Sequence, residues 1–476
     1  MEPAQKISQL SETERLLATA PIGKLMFKFA IPSVISMVVN SLYNIVDQIF
    51  IGQGVGYLGN AATNIIFPIT LLALAASMLM GEGAAIYFSL QMGLGRRDKA
   101  ERGISNALFV VSVTGTLFLI FGLAFLHQLI YIFGARGEVI PYALDYGRII
   151  ILGLPFTIIS GALGSWIRAD GNPQLSMAIM LAGCILNFIL DPLFIFVFNW
   201  GVKGAALATI IGQIVGFVMA VCYINRFKNI KIRRENLKPS FKLTLTLSKY
   251  GMSSVINQLA VMAVVSVLNN LYVKYGAQSI YGAEIPLAAH GICMKVNSIL
   301  FFICIGIAVG CQPIIGYNFG AGNFDRVKKA YIREIILAMS TMLVGFLIFQ
   351  FKPEIVINLF GQENELYNDF AKKCFRIFLS LMVLNGFQIV TGIFFQAIGK
   401  PNQAMFISVS RQIIFFIPSA FILAHLKGVL GILYAGPVAD FAAFVLAFVL
   451  VIHEFKHNFN RENVKDMEKT DKAALA

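Results

Sequence analysis

The chain is a succession of long apolar runs separated by short polar stretches. The runs fall at about 26–51, 61–90, 104–126, 141–167, 174–198 and 202–224, then at about 249–273, 286–316, 330–351, 370–397, 403–424 and 429–452. Each is long enough to cross a bilayer as a helix, which takes about 20 apolar residues. The runs are continuous rather than alternating, which excludes a β-barrel. The pattern predicts an all-α polytopic membrane protein with twelve transmembrane helices.

The pattern repeats. Gln91-Met-Gly-Leu-Gly95-Arg-Arg-Asp98 returns as Asn318-Phe-Gly-Ala-Gly322-Asn-Phe-Asp325. Arg168-Ala-Asp-Gly171-Asn-Pro173 returns as Gln396-Ala-Ile-Gly399-Lys-Pro401, and Gly201-Val-Lys-Gly204 as Gly428-Val-Leu-Gly431. Three matches in one order at a near-constant offset indicate two homologous halves. Six spans is an even number, so both halves insert in the same sense, with a pseudo-two-fold axis along the membrane normal. The expected organisation is an N-terminal tail (1–20), a six-helix bundle (21–224), a linker (225–248), a second six-helix bundle (249–456) and a C-terminal tail (457–476). Gly204, Ala208, Gly212, Gly216 and Ala220 form a ladder along the sixth run, matched by Gly431, Ala435, Ala439, Ala443 and Ala447 along the twelfth. Small residues at this spacing let helix backbones approach closely in lipid, which points to packing rather than chemistry.

Charge changes the picture only through its placement. The sequence is 57% hydrophobic and 13% charged, against about 25% charged in soluble domains, so a large soluble core is not the reading. The net charge of +13 is gathered in alternate loops. Arg96, Arg97, Lys99 and Arg102 follow the second run, and Arg326, Lys328, Lys329 and Arg333 follow the eighth. Arg226, Lys228, Lys231, Arg233, Arg234, Lys238 and Lys242 lie between the halves, while residues 52–60 carry no basic residue. Basic loops stay cytoplasmic, which places both termini inside and makes the charge a topology signal rather than a nucleic-acid surface. The polar start of the chain, with Glu12 and Glu14, does not read as a signal peptide. Six scattered cysteines show no metal-binding or disulfide spacing and read as small apolar core residues.

Candidate chemistry starts in the fifth run, where Asn187 and Asp191 are four residues apart and so share one helix face. Pro192 removes a backbone N–H and frees the carbonyl of Phe188. A charge at mid-membrane costs about 2.5–3.5 kcal/mol on insertion scales, so Asp191 reads either as a hydrogen-bonded structural acid or as a functional one. Asn40, Tyr43, Asn44 and Asp47 form a polar stripe on the first run. By the assigned topology Asp47 and Asp191 lie at similar depth in the outer part of the membrane, with Thr209 on the sixth run near them. Such a group can take up and release a proton, or hold a small cation. The second half differs: the position matching Asp191 is Ser419. It carries instead Arg411 and Asp440, which read as an interhelical ion pair or as substrate contacts. Glu82 and Lys295 are also intramembrane, without an assigned role. HExxH, GxSxG and Walker A patterns do not occur, so the sequence supports neither a membrane enzyme nor an ATP-driven pump.

Taken together, Tyr43-Asn-Ile-Val-Asp47, Gly93-Leu-Gly95, Asp170-Gly171-Asn172-Pro173, Asn187 with Asp191-Pro192, and Gly201-Val-Lys-Gly204 with Ala208-Thr209 resemble the MATE (multidrug and toxic compound extrusion) family, in its MepA-like branch. The resemblance runs from about Pro21 to His453. It implies two six-helix bundles around a central cavity. It also implies export of organic, often cationic, compounds in exchange for protons or sodium ions, by alternating access. Tyr43, Asp47, Asn187, Asp191 and Thr209 match the family's cation or proton site, where sodium would sit at Asp47, Asn187 and Asp191. Asn40 matches a polar cavity position, and Asn44, Arg411 and Asp440 complete the expected cavity set. Relatives that use sodium carry acids in the seventh and tenth helices; here Asn257, Gln258 and Asn385 stand there, which points to the first half for coupling. The expectation is a monomeric transporter of the cell membrane without a cofactor, binding small organic cations or drugs and no nucleic acid. A flippase for lipid-linked oligosaccharides, of the same superfamily, is the alternative.

Overall fold

The computed structural model describes residues 11–232, 239–359, 365–457 and 459. Residues 1–10 of the N-terminal tail lie outside that set. So do Arg233, Arg234 and Lys238 of the linker, and the C-terminal tail apart from His457 and Phe459. Among the described residues, eleven helices are long and apolar enough to span a bilayer: Ile22–Gly54, Tyr57–Gly93, Arg97–Ile132, Val139–Ala169, Pro173–Val197, Gly201–Arg226, Phe241–Gly276, Glu284–Gly320, Phe324–Phe351, Pro401–Lys427 and Val429–His457. A pair bent by 50°, Glu365–Phe378 and Met382–Ala397, makes a further broken span. Counted as one, it is the tenth, and the twelve are numbered here in chain order.

The repeated motifs are helix stops. At the end of the second span Arg96 N–H reaches back to Gln91 O (2.8 Å), and at the end of the eighth Asn323 N–H reaches Asn318 O (2.8 Å). These closures need the residue before to be left-handed, and Gly95 and Gly322 both have φ +74°. The fourth and tenth spans end the same way through Gly171 and Gly399, and Pro173 and Pro401 then open the next helices, where a missing N–H costs nothing. The ladder glycines act within each half: a Cβ at Gly212 would stand 2.6 Å from Gly183 O on the fifth span.

Two stretches differ from the expected boundaries. The seventh span begins at Phe241, inside the stretch read as linker 225–248. Ser240 caps it, accepting from Leu243 N–H, and its own N–H donates to Asn106 Oδ1 (2.7 Å) on the third span. Lys242, Thr244 and Lys249 hide the helix from an apolar-run reading, although the backbone there is helical. The N-terminal tail contains a helix, Glu12–Thr19, started by a capping box between Ser11 and Glu14.

The halves meet at the end of the molecule that carries the basic loops. There the first span packs on the eighth, where a Cβ at Gly310 would stand 2.7 Å from Phe29 O and one at Gly306 would stand 2.6 Å from Val34 Cα. The second packs on the seventh: a Cβ at Gly83 would run into Leu247 O, and one at Gly251 into Leu79 O. The Glu12–Thr19 helix lies across this end and touches both halves. Glu14 pairs with Arg97 of the first half, while Asn318 Nδ2 (3.1 Å) and Arg326 (3.0 Å) of the second donate to Leu17 O. Asp170 holds the start of the linker by accepting from Tyr223 Oη, Lys228 N and Asn229 N. Burial pushes its carboxyl above the usual aspartate range, against those hydrogen bonds.

Candidate functional site

Asp47 on the first span and Asp191 on the fifth are both buried, and their carboxyls lie within hydrogen-bonding reach of each other. One turn further along each span, Ile51 and Ile195 close over the pair with Ala205 of the sixth span, forming a small apolar cluster separate from the main core. Phe50 packs on Phe188 and Phe196 beside it. The fifth helix carries Asp191 and Pro192 in its last α-helical turn and then widens into a π turn, Leu193–Val197. A proline at that point removes a regular hydrogen bond, and π turns of this kind are frequent where side chains are aimed at function.

Asn187 sets the position of the acid. Its Nδ2 donates to Asp191 Oδ1 (3.2 Å) and to Thr209 Oγ1 (3.2 Å), so one amide ties the fifth span to the sixth. Tyr43 lies within hydrogen-bonding reach of Thr209. Five residues singled out from sequence thus gather in one cluster: Tyr43, Asp47, Asn187, Asp191 and Thr209. Within it Asp47 Oδ1, Asn187 Oδ1 and Asp191 Oδ2 are buried oxygens with no hydrogen-bond donor. Three unsatisfied acceptors in one place are costly unless something positive joins them. A carboxyl pair, an amide oxygen and a hydroxyl make an all-oxygen set that suits a proton or a small hard cation. Among the described residues no group of three or more His, Cys, Asp or Glu could hold a metal ion.

The remaining cavity candidates scatter. Asn44 is exposed and donates to Asn40 O (2.7 Å), so the stripe continues along the first span. Arg411 and Asp440 lie in the other half. The Arg411 Nη2 and Nε stand 2.9 and 3.0 Å from Asp440 Oδ1, and Asn385 Nδ2 donates to Asp440 Oδ2 (3.1 Å). Arg411 sits in a π segment, Ser410–Phe416, of the eleventh span. Lys295 is exposed. Glu82 of the second span is half-buried and receives a hydrogen bond from Ser254 of the seventh, across the seam between the halves.

Two residues have no place in the sequence reading. Tyr146 of the fourth span is buried close to Tyr43 and the acid pair. With Tyr142 one turn before it and Asp145 beside it at the start of the fourth span, it stands in a short polar group that the sequence reading does not single out. Glu334 of the ninth span is 1% exposed, with both carboxyl oxygens lacking a partner and Cys311 beside it. Its signal was an acid inside an apolar run, the same signal that marks Asp191.

Twelve spans in two repeated bundles, with an acceptor-only acid pair inside one of them, define a polytopic membrane transporter. A MatE family model matches residues 32–193 and 253–422, one segment in each half. The chain belongs to the MatE family, whose members are transporters and not enzymes. It is 27% identical over 436 residues to the multidrug export protein MepA of Staphylococcus aureus strain MSSA476, covering 91% of this chain and 94% of the relative. It is 27% identical over 437 residues to the MepA of Staphylococcus haemolyticus strain JCSC1435, covering 90% and 93%. The fold is similar to a solved outward-facing conformation of a multidrug resistance MATE transporter of the MOP superfamily, with TM-score 0.85, 23% identity, and 97% and 100% of the chains covered. It is equally similar, at TM-score 0.85 and 23% identity over 94% and 100%, to a MOP superfamily transporter from Pyrococcus furiosus whose binding pocket of reverse polarity suggests a different function.

Proposed function

We propose that this chain is a secondary active multidrug exporter. It expels organic, often cationic, compounds in exchange for protons or sodium ions by alternating access. The observation that carries the reading is the Asp47–Asp191 pair with its unsatisfied oxygens. Protein groups alone leave this cluster incomplete, and a cation from outside completes it. A cation drives transport only if it binds one conformation better than the other. The pair spans the first and fifth helices and therefore senses their separation. The curated relatives named for multidrug export support the substrate class. The basic loops support a cytoplasmic seam end, with the acid pair nearer the outer face of the cell membrane.

Flipping of lipid-linked oligosaccharides is less well supported. A pyrophosphate headgroup calls for free cations, whereas the Arg411 charge is already taken up by Asp440. Purified protein in liposomes, loaded with a fluorescent cationic dye, tests the proposal. Dye movement under a proton gradient or a sodium gradient, abolished in Asp191→Asn, is expected. Movement that survives the substitution unchanged would remove the acid pair from the coupling role.

A further inference from the structure

Glu82 has no part in the acid pair, yet it is a half-buried carboxyl within a membrane span. Its setting differs from that of an ordinary core acid. Its partner, Ser254 Oγ, belongs to the other half of the molecule. Gln396 Nε2 of the tenth span lies 3.5 Å from the same hydroxyl. On its own half, the Arg168 guanidinium of the fourth span is near enough to act on the Glu82 charge, and is itself 9% exposed. Glu82 is next to Gly83, and Ser254 is three residues from Gly251, the two glycines at which the second and seventh helices meet backbone to backbone. Any motion that opens this end must part those helices and break the Glu82–Ser254 bond. The carboxyl then loses its donor and faces water, on the side from which an exporter takes its cargo.

We propose that Glu82 and Ser254 form the gate at the basic end, and that the Glu82 carboxyl is the group on this seam that first receives an organic cation when the gate opens. The carboxyl exchanges partners during the cycle: the Ser254 hydroxyl in the closed state, the cation in the open one. Closing returns Ser254 to the carboxyl and releases the cation towards the outer cavity. The second half of the proposal rests on the export reading above; the gate itself does not.

The test uses the full chain in liposomes with tetraphenylphosphonium, a permanent organic cation, together with amide hydrogen exchange of the seam peptides around Gly83 and Gly251. Glu82→Gln should raise KM about tenfold with kcat changed less, the pattern of a lost binding contact. Ser254→Ala should leave KM near that of the wild type and speed exchange at the seam. Should Glu82→Gln fail to fold, Glu82→Asp keeps the charge one methylene shorter and should retain the KM while speeding exchange. An unchanged KM in Glu82→Gln, whatever happens to kcat, would overturn the cation contact. Unchanged exchange in Ser254→Ala would overturn the gate. Wild-type protein that moves no tetraphenylphosphonium under either gradient would overturn the export reading and the cation contact with it, while the exchange comparison still decides the gate.

Discussion

Asp47 and Asp191 present their carboxyls to each other across two helices, and neither Asp47 Oδ1 nor Asp191 Oδ2 receives a hydrogen bond from the protein. Two carboxylates cannot donate to one another. The pair is complete only with a proton between its oxygens or a cation against them. The apolar lid of Ile51, Ile195 and Ala205 makes that need sharper, because buried acceptors left unmatched cost about 1–3 kcal/mol each.

Asp47→Asn and Asp191→Asn are both expected to abolish gradient-driven dye transport in liposomes. Each leaves one carboxyl without a charged neighbour, so the folded protein should persist. Thermal unfolding in detergent checks that the loss is one of coupling and not of folding.

Thr209→Val removes one of the two acceptors that hold the Asn187 amide. The orphaned N–H should cost about 1–3 kcal/mol and free the amide to turn away from Asp191. A lowered unfolding temperature with weakened coupling is expected, and Thr209→Ser should restore both. Full activity in Thr209→Val would show that Asn187 needs no second anchor.

Arg411→Ala leaves Asp440 buried and unpaired, at an expected cost of about 3–5 kcal/mol. Arg411→Met combined with Asp440→Leu should recover most of that stability, since both charges leave together. Transport by the stable double variant separates the alternatives: retained export marks a structural ion pair, and lost export marks a substrate contact.

Gly251→Ala puts a methyl into the carbonyl of Leu79 on the opposite half. The halves cannot then close fully at the basic end. Faster hydrogen exchange in the seam peptides and loss of transport are expected, with the first-half acid pair intact.

Glu14→Gln and Arg326→Ala weaken the two hands by which the Glu12–Thr19 helix grips the first and second halves. If the helix fastens the halves together, losing either hand loses the fastening, so their effects on seam exchange should be strongly non-additive in a double-mutant cycle. Additive effects would mean two unrelated local contacts.

The number of spans, the two-fold repeat and the members of the acid site could be read from the sequence. Each is a one-dimensional consequence of the bilayer. A helix that crosses lipid must be apolar for about 20 residues, so a carboxylate or amide inside such a run stands out. Glycines that must be left-handed, such as Gly95 and Gly322, recur because both halves stop their helices the same way. The start of the seventh span was not legible, since its first turns lie outside the apolar stretch and carry lysine and threonine like any loop. Tyr146 and Glu334 were not singled out for a different reason: the groups they lie near, Tyr43 and Asp47 for Tyr146 and Cys311 for Glu334, stand on other helices.

The sequence alone determined which residues are costly to bury, and therefore which stood out as candidates. Only the tertiary structure decided their partners, because a hydrogen bond between helices depends on which faces are brought together. It set Asp47 against Asp191, neutralised Arg411 with Asp440, and placed Glu82 opposite Ser254 on the far half. Hydropathy fixes how deep a residue lies along its own helix; the packing of helix on helix fixes what it meets there.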